Sequence, residues 1–197
     1  MTAQQSALSH PLRSQRLNAL THEPHSRLDK QVKSHDPFAS TGRFARFVAA
    51  QYLFQYDLEK LYADTDLARW IPGLEKRCRV EQTLLDLADL EHAVPEGDES
   101  IREREMDISE ALGWLFVSEG SKLGAAFLLK RMPALGLSDS FGARHLGEPE
   151  GGRAQGWKSF VTALDSIELS AEQERLAEAA ASAAFERFTV HLERSFA

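Results

Sequence analysis

The sequence predicts an all-α fold, a single-domain bundle of about seven to eight helices. Three observations predict it. Apolar residues recur at three- and four-residue spacing through the long segments, no segment alternates with period two for long enough to form a strand, and Ser, Thr, Asp, Pro and Gly punctuate the helical runs. A chain of 197 residues with 43% hydrophobic residues is enough for one core.

Residues 1–10 are small and polar and read as a disordered tail, leaving 11–197 as the folded domain. Leu17, Leu20, Leu28 and Val32 mark a first helix over 12–32, which Pro24 is expected to kink or restart. Ser40 or Thr41 caps a second helix carrying Phe44, Phe47, Val48, Phe54, Leu58 and Leu61. After the corner at Trp70-Ile71-Pro72-Gly73, a helix over 74–90 turns Val80, Leu84, Leu87 and Leu90 inward, with Leu85 at its edge. Residues 93–107 read as a charged linker. Ser109 is placed to cap a strongly apolar helix running to about Met132, and 138–152 reads as loop. An amphipathic helix spans 154–167, and Ser170-Ala171-Glu172-Gln173 is a capping box opening the last helix. That helix directs Leu176, Phe185, Phe188 and Leu192 inward.

The net charge of −7 argues against nucleic acid as a principal partner. One cysteine, Cys78, excludes an intrachain disulfide and a CxxC metal site, and reads as a partly buried helix residue. No window of about 18 apolar residues is present and the N-terminus lacks a signal-peptide core, so the expectation is a cytoplasmic protein with no membrane partner. Monomer is the default oligomeric state.

Gly120 and Gly124 stand one turn apart inside the apolar helix, at Gly120-Ser121-Lys122-Leu123-Gly124. Each costs about 0.5–1 kcal/mol relative to alanine, so something must press on that face: another helix or a flat ligand. Of the seven histidines, His10, His35, His92, His145 and His191 read as bland tail, loop or terminal residues. His22 has no carboxylate one turn on. His25 follows Pro24 in an apolar helix, with Asp29 one turn on, where a carboxylate orients an imidazole and frees its Nε2 as a ligand. Two readings of His25 stand, a satisfied structural histidine and a metal ligand. HExxH, Glu-x-x-His and G-x-S-x-G frames are absent. A solitary axial ligand suits heme, which brings its own four equatorial nitrogens.

Several long segments carry a resemblance. They are Leu17 to His25 (LNALTHEPH), Phe47 to Gln55 (FVAAQYLFQ), Gly113 to Ala126 (GWLFVSEGSKLGAA), Gly142 to Leu146 and Gly156 to Phe160. Together they resemble the bacterial heme oxygenases with which Gram-negative pathogens acquire iron, over nearly the whole chain after the tail. The resemblance implies that heme is both substrate and cofactor. O2 and reducing equivalents hydroxylate a meso carbon and open the ring to biliverdin, carbon monoxide and ferrous iron. It implies His25 as proximal ligand to the heme iron, and the helix with Gly120, Ser121 and Gly124 as the distal one. Arg79 is implied as organiser of a distal water network; a plain exposed helix arginine is the competing reading. Gln51 is a second candidate for that network, or a core residue. Phe188 of the last helix is expected to contact heme.

In one subfamily heme is rotated in its plane and the β and δ biliverdins form. That subfamily has an asparagine in the first helix, a phenylalanine in the distal helix and a lysine at the distal helix's end holding a propionate. Asn18 and Phe116 match, whereas the propionate position holds Arg131, preceded by Lys130. Arginine keeps the charge with a different length and fork. The implied electron donor is a ferredoxin, or a ferredoxin/flavodoxin reductase. Arg13, Arg16, Arg27, Lys30 and Lys33 on the first helix are candidates to steer it, or a solvated face. Competing functions are a heme carrier or sensor that leaves heme intact, a heme-free enzyme on a thiaminase-like fold, and biliverdin supply to a photoreceptor.

Overall fold

A computed structural model describes residues 11–197; the tail expected over 1–10 lies outside the described residues. In chain order the helices are α1 (Arg13–Ser34), α2 (Thr41–Ala63), α3 (Thr65–Ala68), α4 (Val80–Asp89), α5 (Glu99–Arg102), α6 (Ile108–Leu129), α7 (Arg153–Ser166) and α8 (Ala171–Phe196). Short 3-10 turns cover Leu74–Arg77, Met132–Leu135 and Arg144–Leu146. No strand forms among the described residues, so the helical reading holds.

The helix starts follow side-chain chemistry. Ser40 accepts the Arg43 N–H at 3.2 Å, and the Ser170 and Gln173 side chains cap each other's backbone. α6 starts differently from the expectation. Asp107 is its cap, accepting the Ser109 N–H at 2.9 Å, so Ser109 is a recipient rather than the capping side chain. Pro24 removes one backbone donor, yet α1 continues through it without restarting. The helix expected over 74–90 breaks at Cys78 and Arg79 into a 3-10 turn and α4, because Cys78 is extended. The charged linker contains α5, capped by Asp98. Leu176, expected inward, is exposed, while Phe185, Phe188 and Leu192 are buried as expected.

α8 is the spine, with α1, α2 and α6 packed against it; α1 and α6 touch each other only slightly. α6 changes character along its length. Residues 111–119 are buried, whereas Ser121, Leu123, Gly124 and Phe127 are exposed. The buried half meets α8 at Gly113, where a β-carbon would come 2.3 Å from the Ala177 carbonyl oxygen and 2.7 Å from Ala180 Cβ. Gly113 is therefore the glycine that helix packing demands.

Candidate functional site

His25 lies on α1 with an exposed ring, next to the proline that lacks a backbone donor. Its ring meets the edge of Phe185 from α8, centroids 6.1 Å apart at 74°. Asp29, the expected orienting carboxylate, pairs instead with Lys33 at 2.5 Å. Its orientation thus comes from Phe185 packing, leaving the ring nitrogens open to an external partner.

Gly120 and Gly124 answer the question that their cost poses. A β-carbon at Gly124 would meet nothing within 4 Å, and one at Gly120 would come no nearer than 3.7 Å to the Trp157 ring. Gly124 is therefore not explained by packing within the chain, and Gly120 faces only the Trp157 ring of α7 at ordinary van der Waals distance. Leu123 and Phe127 on α6 and Leu20 on α1 are large apolar residues left 37%, 72% and 42% exposed. Two helices that flank α8 thus carry exposed apolar side chains, an accessible imidazole and bare backbone, the surfaces a flat apolar macrocycle needs. Ser121 donates its hydroxyl to the Ser118 carbonyl at 2.7 Å, so its proton is engaged and its oxygen is left as an acceptor.

Behind α6 lies a buried polar chain. Gln55 Nε2 donates to Ser118 Oγ at 3.1 Å, and Tyr62 OH lies 2.7 Å from the same oxygen and donates to Glu119 Oε1 at 2.8 Å. Burial first, then the Glu119 charge, pushes the Tyr62 phenol well up, so it remains a donor. Arg77 holds the other Glu119 oxygen at 2.9 Å, and Lys122 pairs with Glu119 as well. Burial lowers the Lys122 ammonium, against the pull of Glu119.

Arg79 joins this chain through its backbone N–H, 3.1 Å from Gln55 Oε1. Its guanidinium is partly buried and donates to the His145 carbonyl at 2.9 Å and the Gly147 carbonyl at 3.2 and 3.3 Å. The reading of Arg79 as an exposed helix residue is therefore corrected: it ends a break between helices and is held by loop carbonyls. A cavity of about 650 Å³ borders it, with Arg77, Glu119, Lys122, Arg153 and Trp157 among its walls; His25 and Gly124 are not.

Of the remaining candidates, Asn18 is exposed on α1, and Phe116 is buried with its ring 5.4 Å from Trp157. Arg131 is exposed just past α6, its guanidinium 4.1 Å from the Phe38 ring centroid. Phe188 sits among Phe47 and Phe54 in the core, and Phe185, three residues earlier, is the α8 ring that meets His25. The cationic face of α1 is mostly paired. Arg13 and Arg16 are bound to Glu174, Arg27 to Glu23 and Lys33 to Asp29.

Two histidines read as bland are buried and hydrogen-bonded to carboxylates. His145 Nδ1 lies 2.7 Å from Asp86, and His191 Nε2 lies 2.6 Å from Asp57, which also holds Arg187 at 2.7 Å. Among the described residues no group of three His, Cys, Asp or Glu side chains is placed to hold a bare metal ion. A metal bound at His25 would need most of its donors from elsewhere, as a porphyrin provides.

His25 and His22 are exposed on α1, and of the two only His25 packs against an aromatic ring. The heme oxygenase family profile matches residues 12–194. The chain is 67% identical over 186 residues to heme oxygenase PigA of Pseudomonas aeruginosa, covering 94% of each sequence. It superposes on the NO- and CO-bound heme oxygenase of Neisseria meningitidis with a TM-score of 0.86 and 34% identity, over 95% of this chain and 93% of that one. The heme oxygenase of Leptospira interrogans shares the fold, with a TM-score of 0.77 at 18% identity over 93% and 100% of the two chains. The chain belongs to the heme oxygenase family, and its activity is oxidative degradation of heme, which serves as both substrate and cofactor.

Proposed function

We propose that His25 is the proximal ligand and that Gly120 and Gly124 are the clearance on the opposite side of the heme. Open space at Gly124, set against the filled space at Gly113 on the same helix, is the observation that carries this reading. When bound, heme supplies both the iron that activates O2 and the carbon skeleton that is oxidised. The chain's own residues do the rest. His25 would offer an imidazole packed against Phe185, a weaker electron donor than a thiolate. The bare backbone at Gly120 and Gly124 would let a flat ligand approach α6 closely. Arg79 lines the cavity that Trp157 also borders and is linked through its backbone N–H to the buried Gln55–Ser118 pair, a setting suited to ordering the water that delivers protons.

Arg131 is suited to hold a propionate, since an exposed guanidinium over Phe38 can turn toward a carboxylate. With Asn18 and Phe116 it supports a heme rotated in its plane, with β and δ biliverdin as products. Phe188 acts from the core, one layer beneath the heme surface. We assign the chain an iron-releasing role in the cytoplasm as a monomer, with electrons from a ferredoxin or a ferredoxin/flavodoxin reductase. No helix among the described residues is long and apolar enough to cross a membrane.

Heme-loaded protein supplied with reductase and NADPH under air tests the assignment. Loss of the Soret band with bilin absorption is expected, and a stable reduced heme spectrum would mark a carrier instead.

A further inference from the structure

The cavity of about 650 Å³ behind α6 is lined by two guanidiniums, of Arg79 and Arg153, that converge on one carbonyl oxygen and form no ion pair among the described residues. Arg79 donates to the Gly147 carbonyl at 3.2 and 3.3 Å, and Arg153 donates to the same oxygen at 3.2 Å. Arg153 also reaches the Leu146 carbonyl at 2.6 Å and the Lys122 carbonyl at 3.4 Å. Both guanidiniums donate to carbonyl oxygens and neither forms an ion pair. Glu119 and Asp86 act on the Arg79 charge from further away, and Glu148 accepts the Arg153 backbone N–H at 3.4 Å. Of the other cations at the cavity, Lys76 is exposed and unpaired among the described residues, and the rest are matched. Arg77 and Lys122 share Glu119, and Arg144 binds Asp86 and Asp89. Asp139, Glu148 and Glu150 line the same cavity but are exposed, so water screens them.

Two like charges converging on one carbonyl repel each other, and partial burial strengthens that repulsion. The Arg79 guanidinium is pulled below its ordinary range by burial and then by the Arg153 charge. Gln82 adds a second observation at the same wall: its amide oxygen is buried without a hydrogen-bond partner. Because amide oxygen and nitrogen are assigned by partners, the rotated amide would present a donor to an anion there. In a chain of net charge −7, two arginines without an ion pair in one recess are suited to an anion.

We propose that this cavity binds a small dianion, a phosphate or a dicarboxylate, between Arg79 and Arg153, separately from heme. Its occupation would neutralise the arginine pair and fix the loop that carries His145 and Gly147. The site does not depend on His25 or on the glycine pair.

Isothermal titration of heme-free and heme-loaded protein tests it, with sodium phosphate in one arm and sodium succinate in the other. Sodium chloride holds ionic strength constant. Saturable binding of one of these at a Kd of about 1 mM or tighter is expected, in both protein forms. Arg153→Gln and Gln82→Glu should each weaken it by about tenfold or more, the second by placing a carboxylate at the wall while keeping both arginines. Circular dichroism and heme titration check folding, and if Arg153→Gln does not fold, Gln82→Glu decides. Phosphate binding alone identifies an inorganic ligand, and succinate binding alone an organic one. Absence of saturable binding in both arms, binding unchanged in the variants, or binding abolished by heme would overturn the proposal.

Discussion

A β-carbon at Gly113 would stand 2.3 Å from the carbonyl oxygen of Ala177, so α8 and α6 cross there at a distance only glycine allows. One helix therefore holds glycines with two different jobs. Gly113 belongs to the packing of the bundle, whereas a β-carbon would meet nothing at Gly124 and only the Trp157 ring, at 3.7 Å, at Gly120.

Gly113→Ala should destabilise the fold by about 1–3 kcal/mol, the cost of overpacking a close contact. Gly124→Ala has room for its methyl and should leave stability unchanged or raise it by about 0.5–1 kcal/mol. Thermal unfolding of the two heme-free variants checks the contrast. Equal losses would mean that both glycines serve packing.

Gly120→Val should keep heme binding while turnover falls by about tenfold or more, because the added side chain occupies the space used by the diatomic ligand. Trp157, 3.7 Å from a β-carbon there, confines the valine and prevents it from turning aside. Heme titration and single-turnover absorbance read the two properties separately. Unimpaired turnover would remove the clearance role.

Asp86 anchors the 144–146 turn, accepting the backbone N–H groups of Arg144 and His145 at 2.8 and 2.9 Å as well as the His145 ring. Burial raises its carboxyl, but the hydrogen bonds and charge of His145 and the two backbone donors outweigh burial and lower it. Its folded value lies below the ordinary 3.8, so its contribution is whole above that pH and is lost as pH falls through the folded value. Stability followed from pH 6 to 2 should drop below about pH 4, and more gradually in Asp86→Asn. That variant should cost about 3 kcal/mol at neutral pH by leaving buried donors poorly paired.

The product isomer reports heme orientation. Chromatography of the wild-type product should show β and δ biliverdin, and the double change Asn18→Lys with Phe116→Tyr should move product toward α. A wild-type product dominated by the α isomer would exclude the rotated seating.

The sequence made the helices legible because their signals are local. The capping box at Ser170, the Ser40 cap and the periodic core of α2 each lie within a few residues. His145 and His191 were opaque for the opposite reason. Their carboxylate partners lie 59 and 134 residues away, and a histidine in a loop or near a terminus gives no sign of them. The break at Cys78 and Arg79 was hidden because apolar spacing continues across it. Leu176 is exposed because the buried stripe of α8 there runs through the small residues Ala177, Ala180, Ala181 and Ala184, which apolar size alone does not mark, and leaves Leu176 at its edge. At the site, His25 and the glycine pair were legible as unusual residues. Gly113 was not, since its partner is a backbone carbonyl on another helix.

The central claim is that this chain binds heme through His25 and degrades it. The most direct test follows the absorbance of heme-loaded wild-type and His25→Ala proteins after addition of a reductase system under air, with and without imidazole. The account predicts that wild-type protein loses its Soret band and forms bilin. The variant should lack the ligated-heme spectrum and turnover, and imidazole should restore the spectrum. A variant that keeps both without imidazole would contradict it.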